Sequence, residues 1–334
     1  MRDSIPEPQG RGMLKSAMKI FRVAACLLLP GLLLSGCMDR DGVYAPVKDL
    51  LFEDARLQAC VVEEAASQGW SEAGHVVRLH CVNPDSEQIT SLAGVEKLVN
   101  LKELDVAHNA IADITPLAGL QKLERLSLDD NRISVLPDVL SHVSLTHLNL
   151  DHNSIRDMAG IRLLQRLEML SLAHNQLQDI APVQEIASLR VLNLDQNSIA
   201  DISPLASLLQ LRELDLSDNQ IADLSALAEL RSLEHLYLAN NRISDITVLS
   251  SLSDLHEIDL SYNQISSIAP LAGLENVGRL MLDGNPLESI EPLLDCSGLK
   301  LISLKGIAGL SCEMLAQLVS EVGTDAVLID EKCH

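Results

Sequence analysis

An α/β solenoid, a curved parallel β-sheet backed by short 3₁₀ turns, is predicted by three observations. Asparagine recurs at positions 109, 131, 153, 175, 197, 219, 241, 263 and 285, each 22 residues after the last. Around each lies the pattern Leu-x-x-Leu-x-Leu-x-x-Asn-x-Ile, as in Leu189 to Ile199 and Leu211 to Ile221. Aromatic residues make up only 2% of the 334-residue chain against 47% hydrophobic, so the core is aliphatic. A fixed period of this length marks stacked units, each too small to bury its own apolar face.

Within a unit, leucines at the fourth and sixth positions alternate as in a strand with one buried side. Pro116, Pro182, Pro204, Pro270 and Pro292 stand in the returning halves. Those halves are therefore neither sheet interior nor helix interior, and 3₁₀ turns on the convex side are expected to close each coil. The asparagine amide offers two donors and an acceptor, which suits it to backbone groups where the strand turns inward. On these residues the chain resembles the leucine-rich repeat family, over roughly residues 89–307. Returning segments such as Ile114 to Leu120 are similar to the 22-residue subclass of bacterial internalins and of a eukaryotic phosphatase-regulating subunit.

The pattern fades at both ends into caps, over residues 50–88 and 308–334. At the N-terminal end, Glu53-Asp54 starts a helix that carries Leu57, Val61 and Ala65 and stops near Gly69-Trp70. Val76 to Cys81 then reads as the first strand. At the other end Leu299 to Leu304 is a further strand, with Ile307 where the asparagine would stand. Ser311 caps a second helix with Leu315, Leu318, Val319 and Val322 on one face, ended by Gly323. A helix and a strand are expected to close this end. Cys60–Cys81 and Cys312–Cys333 are expected disulfides, one per cap, with Cys296 a buried thiol.

The first 36 residues read as a secretion signal. Arg2, Arg11, Lys15, Lys19 and Arg22 precede an apolar run from Val23 to Leu34, too short to span a bilayer. The run ends in Leu34-Ser35-Gly36-Cys37, which resembles the lipobox of bacterial lipoproteins. That resemblance implies cleavage before Cys37, acylation of its thiol and amine, and a tether over residues 37–49. Either Met1 or Met13 serves as the start. Because Met38 rather than Asp follows the cysteine, outer-membrane sorting is expected in a Gram-negative envelope.

Charge narrows the partners. The whole chain carries −22, and residues 37–334 hold 20 basic against 45 acidic residues, or −25. Such a chain is repelled by nucleic acids and anionic lipid, so nucleic-acid binding is excluded and any membrane contact runs through the lipid anchor alone. The outward positions of the strands, the third, fifth, seventh and eighth of each unit, hold twelve acids and, in the nine units, only Arg125 and Arg279 as bases. Asp105, Asp129, Asp151, Asp195, Glu213, Asp215, Glu257 and Asp259 are the candidate contact acids, with His235, Tyr237 and Tyr262 beside them. The alternative is that these acids favour turns and keep the chain soluble. Asp215 and Asp259, at mid-strand, are expected to be replaceable without loss of fold. The inner wall should run for about 45 Å, enough for a protein segment or a glycan.

No site for chemistry stands out. There is no Gly-x-Ser-x-Gly, no glycine-rich phosphate loop, no His-Glu-x-x-His and no zinc-ligand spacing. No loop has the ligand spacing of a calcium site. The expectation is a monomeric, non-enzymatic binding scaffold without cofactor or metal, presented on a lipid anchor. Two rival readings are an internalin-like adhesin and a phosphatase-regulator-like scaffold. The internalins carry further domains beyond their repeats, and the lipobox and paired cysteines oppose an intracellular role.

Overall fold

A computed structural model describes residues 44–83, 87–138 and 144–330. Twelve strands form one parallel sheet in strict sequence order. They are β1 Arg78–His80, β2 Glu103–Asp105, β3 Arg125–Ser127, β4 His147–Asn149, β5 Met169–Ser171, β6 Val191–Asn193, β7 Glu213–Asp215, β8 His235–Tyr237, β9 Glu257–Asp259, β10 Arg279–Met281, β11 Leu301–Ser303 and β12 Val327–Leu328. The middle residue of each three-residue strand points inward, so Leu79, Leu104, Leu126, Leu148, Leu170, Leu192, Leu214, Leu236, Ile258, Leu280 and Ile302 stack in register as one buried row. The rest of the core is almost wholly aliphatic and runs the length of the stack.

The asparagine column ties coil to coil. In the central coil, Asn219 Oδ1 accepts the backbone N–H of Ile199 at 2.9 Å, and its amide nitrogen donates to the carbonyls of Leu194, Leu216 and Ser217 at 2.9–3.1 Å. Two of these four partners belong to the preceding coil. The acceptor half recurs at all nine positions, from Asn109 on Ile89 to Asn285 on Ile265. A neutral side chain thus satisfies backbone groups that the turn removes from water and from the sheet ladder.

The returning halves are 3₁₀ turns, and Pro116, Pro182, Pro204, Pro270 and Pro292 each stand in the first positions of one. A second column starts them. Asp113, Asp157, Asp179, Asp201, Asp223 and Asp245 each accept the N–H two residues on at 2.8 Å. Ser267 and Ser289 take the same place in later coils. The Ser203 N–H and then its hydroxyl hold the Asp201 carboxyl below its ordinary range, and the Thr247 hydroxyl and then its N–H do the same for Asp245. Six acids on the convex side are therefore turn formers, which the sequence reading did not separate from the solvating charge.

Both ends are closed by helices. Helix α1, Ala55–Gln68, starts at Asp54, whose Oδ1 accepts the N–H groups of Arg56 and Leu57, and ends at Gly69 with φ of 71°. Its Leu57, Val61 and Ala65 cover the first coil. The Cys60–Cys81 disulfide, with a Cα separation of 5.8 Å, fixes α1 to the residue after β1. The first strand is shorter than Val76 to Cys81, because Val76 closes the turn over Ala73–His75. Helix α2, Cys312–Val322, is capped by Ser311 and buries Leu315 and Leu318. Beyond it β12 pairs with β11. Cys312 is disulfide-bonded, while Cys333 lies outside the described residues, as does Cys37. Cys296 is a buried free thiol whose Sγ lies 3.3 Å from the Leu271 carbonyl.

Asn219→Ala leaves the buried N–H of Ile199 unpaired and takes one of two donors from each of the Leu194, Leu216 and Ser217 carbonyls. Urea unfolding should show a loss of about 2 kcal/mol, and a loss under about 0.5 kcal/mol would contradict the structural role of the column.

Candidate binding face

The sheet presents two rows of side chains to solvent. The third-position row runs Arg78, Glu103, Arg125, His147, Met169, Val191, Glu213, His235, Glu257 and Arg279. The fifth-position row runs His80, Asp105, Ser127, Asn149, Ser171, Asn193, Asp215, Tyr237, Asp259 and Met281. Period-2 alternation puts both rows on one side, opposite the leucine row. Arg78, which precedes the nine units, adds a third base to Arg125 and Arg279.

The candidate residues fall into separate groups. Glu213, Asp215, His235, Tyr237, Glu257 and Asp259 lie together on β7, β8 and β9. Asp105 is five strands away on β2, and Asp129, Asp151 and Asp195 line the seventh position, beyond the strand ends. Tyr262 is 58% exposed on the rim, with its ring over Gly284 so closely that a Cβ there would come within 2.6 Å of it.

Several of these acids serve the fold. Asp105, Asp215 and Asp259 accept the backbone N–H groups of Ala107, Ser217 and Ser261 at 2.9–3.2 Å. Asn149 and Asn193 do the same in their own coils. Asp215 and Asp259, expected to be replaceable without loss of fold, are each half-buried and close the turn after their strands, so replacing either gives up a hydrogen bond to the backbone. Asp151 reaches across to Ser171 and to the N–H of Ala173 at 2.6 and 2.7 Å.

The eighth position is explained by backbone geometry. His108, Asp130, His152, His174, Gln196, Asp218, Asn240 and Tyr262 all have φ between 49° and 57°, and Gly284 continues the column at 66°. Histidine, aspartate and asparagine tolerate this left-handed conformation better than most residues. The column's histidines and acids then meet: His108 Nδ1 is 2.9 Å from Asp130 Oδ2, and the His152 and His174 rings stack at 3.9 Å. His108, Asp129 and Asp130 bring one donor atom each within 4.8 Å of one another, a spacing that suits a cation.

Elsewhere the acids crowd one another. Burial, then the nearby carboxylates of Asp215 and Asp218, pushes the Asp195 carboxyl up to about 6. Burial also raises Asp151 and Asp215. Burial, then Glu257, Glu213 and Asp215, pushes the Tyr237 phenol up to about 12. Arg279 offsets part of this field by pairing with Glu257 at 3.2 Å. His235 Nδ1 is buried without a hydrogen-bond partner, 3.9 Å from Glu257 Oε2.

A carboxyl raised on folding opposes the native state when ionised. For Asp195 that penalty is full above about pH 6 and fades as pH falls through the folded value toward the unfolded one. After a discount for solvent screening, Asp195→Asn should stabilise the protein by on the order of 1 kcal/mol near pH 8 and by nothing near pH 4. Thermal melts at the two pH values check this, and equal gains at both would rule out a charge effect.

Comparison with known proteins agrees with the architecture. A leucine rich repeat family model matches residues 99–155, and a model of two repeat copies matches 165–207, 187–229, 209–251 and 231–273. No curated protein matches the chain by sequence. A leucine-rich repeat protein of Leptospira interrogans is 25% identical, with a TM-score of 0.65, covering 77% of this chain and 67% of its own. The functional domain of InlJ from Listeria monocytogenes, which includes a cysteine ladder, is 22% identical at a TM-score of 0.68, covering 87% and 62%. The ectodomain of the Arabidopsis thaliana receptor kinase GASSHO1/SCHENGEN3, solved in complex with Casparian strip integrity factor 2, is 24% identical at a TM-score of 0.58, covering 73% and 34%. With its 22-residue period, its asparagine column and its single parallel sheet, this chain belongs to the leucine-rich repeat proteins.

Proposed function

We propose that the chain is a non-enzymatic scaffold, anchored in a bacterial envelope by lipid on Cys37, that holds a protein partner against its acidic concave face. One observation carries the reading: the sheet sets two outer rows of side chains side by side on one face, opposite the buried leucine row. The core is spent on stacking, the asparagines on the turns and the convex aspartates on the 3₁₀ starts. What remains on β7 to β9 is acidic, and a basic partner gains steering and specificity there. The plant receptor ectodomain above was solved with a peptide factor, which supports a proteinaceous ligand for this architecture. Leucine-rich repeat proteins are typically binding scaffolds, and fold alone does not name the partner. Among the described residues no helix is long and apolar enough to cross a membrane. Multiple acyl chains hold a protein stably where one does not.

Cys37→Ala should accumulate as unprocessed precursor, read by its mass in envelope fractions. Normal cleavage to a soluble product contradicts the anchor. Crosslinking in intact envelopes should capture a basic protein whose recovery falls as salt rises to about 0.5 M, where the Debye length shrinks to roughly 4 Å. Salt-independent capture contradicts the acidic face.

A further inference from the structure

The concave face is not evenly charged. Toward the N-terminal end the third-position row alternates in sign through Arg78, Glu103 and Arg125, and Lys102 pairs with Glu124 at 2.9 Å at its edge. On β7 to β9 the balance changes. Tyr237 lies between Asp215 and Asp259 in the fifth-position row, with Glu213 diagonal to it in the third. Glu213 has no hydrogen-bond or ion-pair partner among the described residues. Asp215 and Asp259 each accept a backbone N–H at one oxygen, and the Ser217 side chain also bonds the Asp215 carboxylate.

Neighbouring parallel strands are about 4.8 Å apart, so Asp215 and Asp259 flank the phenol ring on either side, each one strand spacing from it. An aromatic ring beside carboxylates suits arginine above other cations. Its planar fork binds carboxylates in pairs while its face stacks on the ring, whereas lysine is a compact, strongly hydrated point charge. A second copy of the chain does not fit, since a net charge of −25 on residues 37–334 repels its own kind.

Resting on the concave-face reading above, we infer that β7 to β9 dock an arginine-bearing segment of a protein partner, its guanidinium stacked on Tyr237 and paired with the Glu213 carboxylate, with Asp215 and Asp259 flanking the ring. Burial raises the Asp215 carboxyl and the Tyr237 phenol, and neighbouring carboxylates add to both, Asp259 at Asp215 and Glu257 and Glu213 at Tyr237.

The test uses the full chain and a fluorescein-labelled octa-arginine peptide, read by anisotropy in about 50 mM salt. Tyr237→Ala and Glu213→Gln should each weaken binding about threefold or more, Tyr237→Phe should leave it near the wild-type value, and Glu103→Gln on β2 should change it less than about twofold. Glu213 and Glu103 make no side-chain bonds to backbone among the described residues, and melting curves establish that all four variants are folded. Octa-lysine should bind more weakly than octa-arginine. Equal losses in Glu103→Gln and Glu213→Gln, or no loss in Tyr237→Ala, overturn the Tyr237 site while leaving an acidic binding face in place. Spermidine displacing the peptide at equal concentration overturns the protein partner in favour of a free polyamine. No binding of octa-arginine by the wild-type chain removes the acidic-face reading with it.

Discussion

Every coil depends on a hydrogen bond that no regular ladder supplies, the one from the residue-eleven N–H to the asparagine of the next coil. A strand of three residues must turn sharply to close a coil in 22 residues, and that turn carries backbone donors and acceptors into an aliphatic core. Unpaired, each such group costs about 1–3 kcal/mol, and nine coils multiply the cost beyond what a domain can bear. The asparagine amide, with donors on one side and an acceptor on the other, serves both coils at once. Once those groups are satisfied, short strands, leucine packing and the single parallel sheet follow from stacking.

The same constraint sorts the acids. A chain with 47 acidic residues invites a reading in which charge means function. Six aspartates start the 3₁₀ turns, and three more on the sheet close the turns after their strands. Asp130 and Asp218 sit at left-handed positions that disfavour most side chains. On the outer rows of β7 to β9, Glu213 is left without any such duty among the described residues. Binding and solubility are therefore not rival explanations for one uniform coat, because part of the coat is architecture.

The architecture was legible in the sequence because it is periodic, and a periodic signal is reinforced with each copy. The asparagine column, the inward leucines, the proline-bearing turns, Asp54 and Ser311 as helix starts and the Cys60–Cys81 bridge all stand where local rules place them. The duty of Asp215 and Asp259 was not legible, since an outward mid-strand aspartate that bonds a backbone N–H two residues on looks identical to one that faces water. The column of left-handed residues was present in the sequence as a run of His, Asp, Asn and Gly at the eighth position. Its meaning shows only once φ is known. The crowding at Asp195 depends on neighbours 20 and 23 residues away in the chain, distances that fold into contact only through the stack.

The asparagine column also has a direction. Each amide reaches back to the coil before it and never forward, as Asn219 does to Ile199 and Leu194. A coil therefore holds an open donor until the next 22 residues have joined it, and each new coil seals its predecessor rather than itself. Assembly then advances in one sense, from the disulfide-fixed helix toward the C-terminal cap. Tension applied to the far end removes the seal of one coil at a time, so the solenoid should unravel from that end in steps of one repeat.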